Sequence, residues 1–418
     1  MSNDTQQSSS ATPSVDSSLL QQQLQQLALS KWFTVFLSGL IAIAPFAIDV
    51  YLPSMSEIAS HFNTDMAAAN LTLSSYLIGN AIGQFFGGSL SDQLGRRPVG
   101  IFGLLLFIVS SVFIIFAPSI EWVQFFRVSQ ALGGGFAAVI VMASVRDVYP
   151  SSEVGSRYAN VVMVVYLAPL VAPIIGAVLT LVGWQSVFVF LVAYASLCLL
   201  VLFFFVPETL AHKPKRFEVS GLFRGYQYVI QHKINGDRAG LKLAFFSGLS
   251  AAVFLSFLVN SAMIYMHFFG LNAFQFAVAF ACNALMLMAG NRIAAKMMKQ
   301  GGELQILNKA HLIQLGLLLV LVFSVAAQAY NFWSVFILLQ LTLLIHGAIV
   351  SLAGAAFIKN FEVHSGSASS LMATLRLVIG GLLGGAAALW SEGHLLPVLF
   401  AMLGAQVLAR LVLMSLKK

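Results

Sequence analysis

Charged residues are scarce in this sequence: only 9% of its 418 residues are Asp, Glu, Lys or Arg. An ordinary soluble domain contains about 25% of them. Hydrophobic residues make up 59% of the chain, and its mean hydropathy is +0.88. This composition excludes a soluble globular protein. Cysteine is also rare: Cys198 and Cys282 fall inside apolar stretches without metal-ligand spacing, so we interpret both as buried thiols and predict no metal site.

The sequence also lacks motifs for hydrolytic or nucleotide chemistry. It contains no HExxH, no GxSxG and no Walker loop, and no two carboxylates share an apolar segment. No polar region is large enough to form a soluble catalytic domain. We therefore predict that the protein is not an enzyme and needs no cofactor, and a membrane enzyme or receptor is a poorly supported alternative.

Long apolar segments, by contrast, recur along the whole chain. Each is near the roughly 20 residues that an α-helix needs to span a bilayer, and each is too long for a barrel strand. The sequence therefore predicts an all-α polytopic membrane protein with twelve spans, at residues 31–52, 69–91, 98–117, 121–145, 157–181, 184–206, 241–269, 272–295, 305–328, 332–357, 366–390 and 394–416.

The basic residues indicate how these spans are oriented. If the N-terminus is cytoplasmic, every Lys and Arg except Arg127 and Arg376 falls on the cytoplasmic side, as the positive-inside rule requires. We therefore predict a multi-pass protein of the bacterial inner membrane with both termini in the cytoplasm. The formal charge of +7 reflects this topology rather than nucleic-acid binding.

Four regions follow from the pattern of polar residues. Residues 1–30 are rich in Ser and Gln and are predicted to be a disordered cytoplasmic tail. The only long polar connection, 207–240, separates a six-helix half at 31–206 from a second at 241–418. Weak repeats support two pseudo-symmetric halves: the glycine-rich loop at Gly87 corresponds to one at Gly290, and Gly176 corresponds to Gly380.

The loop between spans two and three reads GGSLSDQLGRRP, from Gly87 to Pro98. Its small residues are expected to let helix backbones approach closely, and Asp92 can pair with an arginine or with the positive N-terminus of a helix. We predict that this loop controls conformational switching. Its candidate residues are Gly88, Asp92, Gly95, Arg96 and Arg97.

This loop resembles the signature loop of the major facilitator superfamily. Other segments are similar to its Bcr/CflA-like drug:proton antiporters: AIDVYLPSMSEIA in span one, LTLSSYLIGN in span two, VRD at Val145–Asp147, LAPLVAPIIGAVL in span five and PETL at Pro207–Leu210. The resemblance implies a major facilitator fold and multidrug efflux, and hence antibiotic resistance, by proton-coupled alternating access. The sequence departs from the family pattern at Gln93, at RVSQ (Arg127–Gln130), and at Arg376, where a neutral residue is expected.

Asp49 is the only carboxylate deep within a span. It lies eighteen residues after Lys31, which places it roughly 27 Å along the helix and in the outer half of a hydrocarbon core of about 30 Å. Arg127 enters span four from the outer side at a similar depth, so the two can pair. Because burial raises the pKa of a carboxyl group and an arginine lowers it, we predict that Asp49 carries the proton, with Arg127 as its partner. A static ion pair is the alternative.

Further candidate residues lie in other spans. Pro169, Pro173 and Gly176 in span five resemble the antiporter motif, although an ordinary kinked helix would also contain them. The predicted substrate-cavity residues are Asn80, Gln84, Tyr166, Asn260, Tyr265, His346 and Arg376. Each of the first six could instead form an interhelical hydrogen bond, and Arg376 could be a structural arginine bonded to helix carbonyls or sharing Asp49.

The predicted function is therefore a proton-coupled antiporter that exports small amphipathic drugs or related metabolites by alternating access. The main alternative is an exporter of an anionic metabolite or a siderophore, with Arg376 as the anion contact. An uptake symporter is disfavoured by the motif in span five. The expected partners are a small-molecule substrate, protons and membrane lipid, with no nucleic acid, and the protein is expected to be a monomer driven by the proton gradient.

Overall fold

The computed structural model of the chain describes residues 22, 25–150, 152–210, 226–232, 238–298, 302–359, 361, 365–391 and 394–416. Within these ranges all regular secondary structure is helical. The long helices are α1 (Lys31–Asp49), α2 (Met66–Leu94), α3 (Arg96–Ile115), α4 (Ile120–Val148), α5 (Val154–Leu179), α6 (Gln185–Phe205), α7 (Ala239–Ala262), α8 (Ala273–Met298), α9 (Glu303–Ala326), α10 (Phe332–Ile358), α11 (Ser365–Ser391) and α12 (Leu396–Met414).

The predicted all-α membrane architecture is confirmed. Among the described residues, eleven helical segments are long and apolar enough to cross a membrane by length and composition. The remaining long helix is α2, whose hydropathy is lowered by Asn70, Thr72, Asn80 and Gln84. With 29 residues, α2 still exceeds the roughly 20 that a span requires. Several helices extend a few residues beyond their predicted spans, because the backbone hydrogen bonds continue past the apolar region.

The first span is not one regular helix. α1 ends at Asp49, and a 3₁₀ turn at Leu52–Ser54 and a short helix at Met55–His61 follow it. Pro53 has no N–H group and disfavours the helical conformation in the residue before it. The regular hydrogen-bond pattern therefore stops where the predicted proton carrier lies.

Within each half, the second and fourth long helices pack very closely. In the first half, a Cβ on Gly135 of α4 would lie 2.9 Å from the carbonyl oxygen of Asn80 in α2. In the second half, a Cβ on Gly347 of α10 would clash with the carbonyl oxygen of Leu287 in α8. Glycine at these positions lets the paired helix backbones touch. Glycines therefore allow close packing both of α2 with α4 and of α8 with α10.

The two halves contact each other mainly through α2 with α11 and α5 with α8. Near the start of α2, the side-chain amide of Asn70 donates to Asn260 Oδ1 in α7 (3.2 Å), and Asn260 donates to the Gly384 carbonyl in α11 (3.1 Å). Three helices from both halves therefore meet at one buried amide.

A short helix in the connection also joins the halves, on the cytoplasmic side in the predicted orientation. Tyr226, in the helix at residues 226–231, stacks on Phe85 of α2 with ring centroids 4.3 Å apart. Its hydroxyl donates to the Phe85 carbonyl (2.8 Å) and lies 3.0 Å from the Ser370 hydroxyl of α11. Desolvation in this position raises the pKa of the Tyr226 hydroxyl.

The structure describes only part of the two predicted polar regions. Of the tail at 1–30, residues 1–21, 23 and 24 lie outside the described residues. Residues 25–29 are helical and Leu27 is buried, so the predicted disorder does not extend to this turn. Of the connection at 207–240, the described parts are 207–210, 226–232 and 238–240.

Candidate transport site

Asp49 is buried, and no described residue is a direct polar partner for its side chain. Its side chain is 5% exposed, and it makes no hydrogen bond or ion pair with any described residue. Tyr76 of α2 lies close enough to interact with it electrostatically, and the Tyr76 hydroxyl is itself buried without a hydrogen-bond partner. An unpaired carboxylate in this position is costly, and binding a proton removes that cost.

Arg127 is completely buried on α4 and is held by several groups. Its Nη1 donates to Gln130 Oε1 (2.7 Å), and its Nη2 donates to the carbonyl oxygen of Ala47 in α1 (3.1 Å). The rings of Tyr51 and Tyr76 lie 4.3 and 4.4 Å from its guanidinium carbon. A carbonyl dipole, an amide and two aromatic faces together replace water around this charge.

The structure differs from the predicted direct pairing of Asp49 with Arg127. Both side chains are described, and no ion pair joins them. Arg127 and Asp49 do lie at similar heights on their helices, because Arg127 bonds to the carbonyl of Ala47, two residues before Asp49. The rings of Tyr51 and Tyr76 instead cover the guanidinium. Tyr76 also interacts electrostatically with Asp49, so the Tyr76 side chain lies near both the cation and the carboxyl group.

The sequence reasoning missed these aromatic residues. Tyr51 lies two residues after Asp49 in DVYLP, and its hydroxyl lies 2.6 Å from Thr72 Oγ1 of α2. Tyr76 lies in the SSYLIGN segment of span two. Both stood in segments that carried the resemblance, but helical spacing alone does not show which ring faces a cation on another helix.

The residues of the predicted antiporter motif lie on one continuous helix. α5 contains Pro169 and Pro173 without a break. Gly176 contacts the chain just beyond Asp49: a Cβ on it would clash with the Val50 carbonyl oxygen and lie 3.1 Å from Pro53 Cδ. α5 therefore packs directly against the irregular segment that follows Asp49.

The loop at Gly87–Pro98 forms a charge network at the ends of α2, α3, α4 and α6. Arg96, 6% exposed, forms ion pairs with Asp92 and with Asp147 of α4, the latter at 3.0 Å from Nε to Oδ2. Its backbone N–H donates to Glu208 Oε1 (2.8 Å), in the PETL segment after α6. Asp147 and Glu208 lie in segments that carried the resemblance, but no role was predicted for them.

The glycines of this loop differ in their roles. Gly95 has φ of 110°, which favours glycine and allows the turn between α2 and α3. A Cβ on Gly87 would lie 2.8 Å from Phe136, as close helix packing predicts, but a Cβ on Gly88 would meet nothing within 4 Å. The prediction that Gly88 allows close approach is therefore wrong. Arg97 lies over the Phe203 ring and donates to the Phe203 carbonyl (2.5 Å).

Four of the predicted cavity residues make side-chain hydrogen bonds to other residues. Asn80 accepts from Gln84 one turn later in α2 (2.7 Å), and Asn260 joins the two halves as described above. Tyr265, in a π-helical turn at Met263–Phe268, lies 3.3 Å from Asn283 Oδ1. The contacts of Asn260 and Tyr265 match the alternative of interhelical hydrogen bonds, whereas the bond between Asn80 and Gln84 lies within one helix. The side chain of Tyr166 lies outside the described part of the chain.

Arg376 and His346 lie near the middle of α11 and α10. Arg376 is partly buried, and its Nε donates to Ser247 Oγ of α7 (2.6 Å). His346 is 2% exposed, stacks on Phe254 and interacts electrostatically with Arg376. The structure thus brings together two of the predicted cavity residues in the second half.

Comparisons with known proteins agree with this architecture. The profile of the Major Facilitator Superfamily matches residues 36–385. The bicyclomycin resistance protein homolog of Haemophilus influenzae is 26% identical over 378 residues, covering 88% of this chain and 92% of that protein. Multidrug resistance protein MdtL of Shewanella oneidensis is 34% identical over 169 residues, which are 39% of this chain and 43% of that protein.

Solved structures show the same fold. A D-xylose-proton symporter aligns with a TM-score of 0.69 at 16% identity, covering 92% of this chain and 98% of that one. These matches confirm the resemblance to Bcr/CflA-like efflux proteins and indicate a transporter rather than an enzyme. The chain is a multi-pass membrane protein that belongs to the major facilitator superfamily.

Proposed function

We propose that this protein exports small amphipathic organic compounds across the bacterial inner membrane in exchange for protons, with both termini in the cytoplasm. The resistance proteins among its relatives support export of such compounds. The observation that supports proton coupling is the environment of Asp49, whose carboxyl group is buried and has no direct polar partner among the described residues. A monomer with small-molecule cargo, protons and lipid as its partners is sufficient for this function.

In the proposed cycle, Asp49 binds a proton from the outer side and becomes neutral, which removes the cost of an unpaired charge. Asp49 ends α1, and the segment after it packs on Gly176 of α5. A change in its charge therefore acts directly on the contact between two helices. The permanent positive charge of Arg127 favours loss of the proton when the cytoplasmic side opens.

The charge network around Arg96 supports alternating access in this proposal. Its members lie at the cytoplasmic ends of helices in the first half, so they hold that half together as a unit. The halves meet through α2 with α11 and α5 with α8, and these contacts must rearrange for the cargo to leave.

The direct test is transport by purified protein in proteoliposomes with an imposed pH gradient. Asp49→Asn removes the titrating group but keeps its size, so it should fold and bind substrate yet lose gradient-driven transport. Glu57→Gln is the matched control, because Glu57 is an exposed acid eight residues later and should leave transport unchanged. Normal gradient-driven export by Asp49→Asn would refute the proposal, and substrate movement in the same direction as the protons would indicate an uptake symporter.

A further inference from the structure

Arg376 is a cation near the middle of α11 that has no counter-ion among the described residues. It is the twelfth residue of a 27-residue helix, so it lies roughly 16 Å from the helix start. No ion pair reaches it in the described part of the chain. The acids after residue 240 are Glu303, Glu362 and Glu392, all at the ends of the predicted spans. A lone cation at this depth is expensive unless something compensates it.

The protein itself satisfies only part of this guanidinium. Nε donates to Ser247 Oγ (2.6 Å), and Nη2 makes a long contact with the sulfur of Met372 (3.7 Å). Nη1 has no hydrogen-bond partner among the described residues. The residue as a whole is only partly buried. Within the part of the chain that the structure describes, no helix carbonyl accepts from this guanidinium and Asp49 does not pair with it.

The surroundings are polar on one side and apolar on the other. His346 is 2% exposed, and its Nδ1 is buried without a hydrogen-bond partner. Phe254 stacks on the His346 ring at a centroid distance of 6.1 Å. α7 and α11, which carry Ser247 and Arg376, both contact α2 of the first half. The guanidinium therefore belongs to helices that form the boundary between the halves.

We propose that Arg376 and Ser247 form a subsite for the anionic group of an amphipathic organic anion, such as an aromatic carboxylate. This inference rests on the proposed export function and adds the charge class of the cargo. Ser247 holds the Nε edge of the guanidinium, which leaves Nη1 and Nη2 to face a carboxylate. Phe254 and Met372 provide apolar surface for the body of the ligand. The anion supplies the countercharge that the protein lacks.

The test is equilibrium binding by fluorescence polarization to purified protein in nanodiscs, with fluorescein as the anion and rhodamine 123 as a cation on the same ring system. Arg376→Gln should weaken fluorescein binding at least tenfold, which is about 1.4 kcal/mol. It should leave rhodamine 123 binding within threefold or strengthen it. Ser247→Ala should weaken only fluorescein binding, and by a smaller factor. If Arg376→Gln does not fold, the Ser247→Ala result tests the proposal.

Arg410→Gln is the matched control, because Arg410 is a helix-borne arginine of the same half whose Nη1 donates to Asn308 (2.8 Å) near the helix end. It should change neither dye. The proposal is overturned if fluorescein does not bind the wild-type protein, if its affinity is unchanged in Arg376→Gln and Ser247→Ala, or if both dyes weaken equally. Binding needs no pH gradient, so Asp49→Asn should still bind fluorescein. A failure of proton coupling would appear only in the transport assay, which distinguishes it from a failure of this anion subsite.

Discussion

At the scale of single residues, the environment of Arg127 depends on shape as well as charge. Its guanidinium bonds in two directions, to Gln130 and to Ala47, while both tyrosine rings cover its faces. A lysine has one compact ammonium group and cannot reproduce planar stacking together with divergent hydrogen bonds. Charge alone is therefore not sufficient at this position.

We predict that Arg127→Lys lowers the melting temperature and slows transport by at least about tenfold, because lost charged hydrogen bonds cost about 1.5–3 kcal/mol. Thermal unfolding and proteoliposome transport measure the two effects. Arg157→Lys is the control: Arg157 also lies over a tyrosine ring, but it pairs with Glu153 and its side chain is 39% exposed. Equal effects of the two substitutions would contradict this account.

At the scale of helices, Gly176 determines how closely α5 approaches the segment after Asp49. A Cβ at this position would clash with backbone, which cannot rotate away as a flexible side chain can. The sequence predicted an antiporter motif here, consisting of Pro169, Pro173 and Gly176. The structure shows that the glycine makes the contact.

We predict that Gly176→Ala lowers both the melting temperature and the rate of proton-coupled transport, because α5 must move away from Val50. Gly316→Ala in α9 is the matched control, since a Cβ there would meet nothing within 4 Å. Alanine also favours a helix by up to about 1 kcal/mol over glycine, so this control should be neutral or slightly stabilising. A Gly176→Ala protein with wild-type transport would show that the close contact is dispensable.

Helix number and depth could be predicted because they depend on runs of apolar residues and on 1.5 Å of rise per residue. The partners of a buried side chain could not, because they depend on which face of each helix meets which neighbour. Asn260 illustrates this: its position in span seven suggested a cavity, but it holds Asn70 and Gly384 together. Arg127 bonds to the chain two residues before Asp49, as matching heights on the two helices predict, yet the tyrosines that cover Arg127 were missed.

At the scale of the whole molecule, the Arg96 network links the ends of four helices of one half. Its two ion pairs are unequal, because the Asp92 side chain is 62% exposed and that of Asp147 only 20%. Water screens and replaces the first pair more easily than the second. Asp147 is therefore the more important partner for the rigidity of this half.

We predict that Asp147→Asn slows transport more than Asp92→Asn does, while both keep substrate affinity within a few-fold. The reason is that the network lies at the helix ends, away from Asp49 and Arg376, and affects movement rather than binding. Stopped-flow transport and equilibrium binding on the same preparations separate the two quantities. A tenfold loss of affinity in either variant, about 1.4 kcal/mol, would mean that this region shapes the binding site.

The polarity of α2 has a consequence for how the protein is made. Of the polar side chains that lower the hydropathy of α2, Asn70 donates to Asn260 of α7 and Thr72 contacts Tyr51, whereas Asn80 and Gln84 bond to each other within α2. α4, α7 and α11 are all synthesised after α2. A nascent chain must therefore hold a weakly hydrophobic segment at the translocon until later segments arrive, so membrane insertion of this transporter is cooperative rather than sequential.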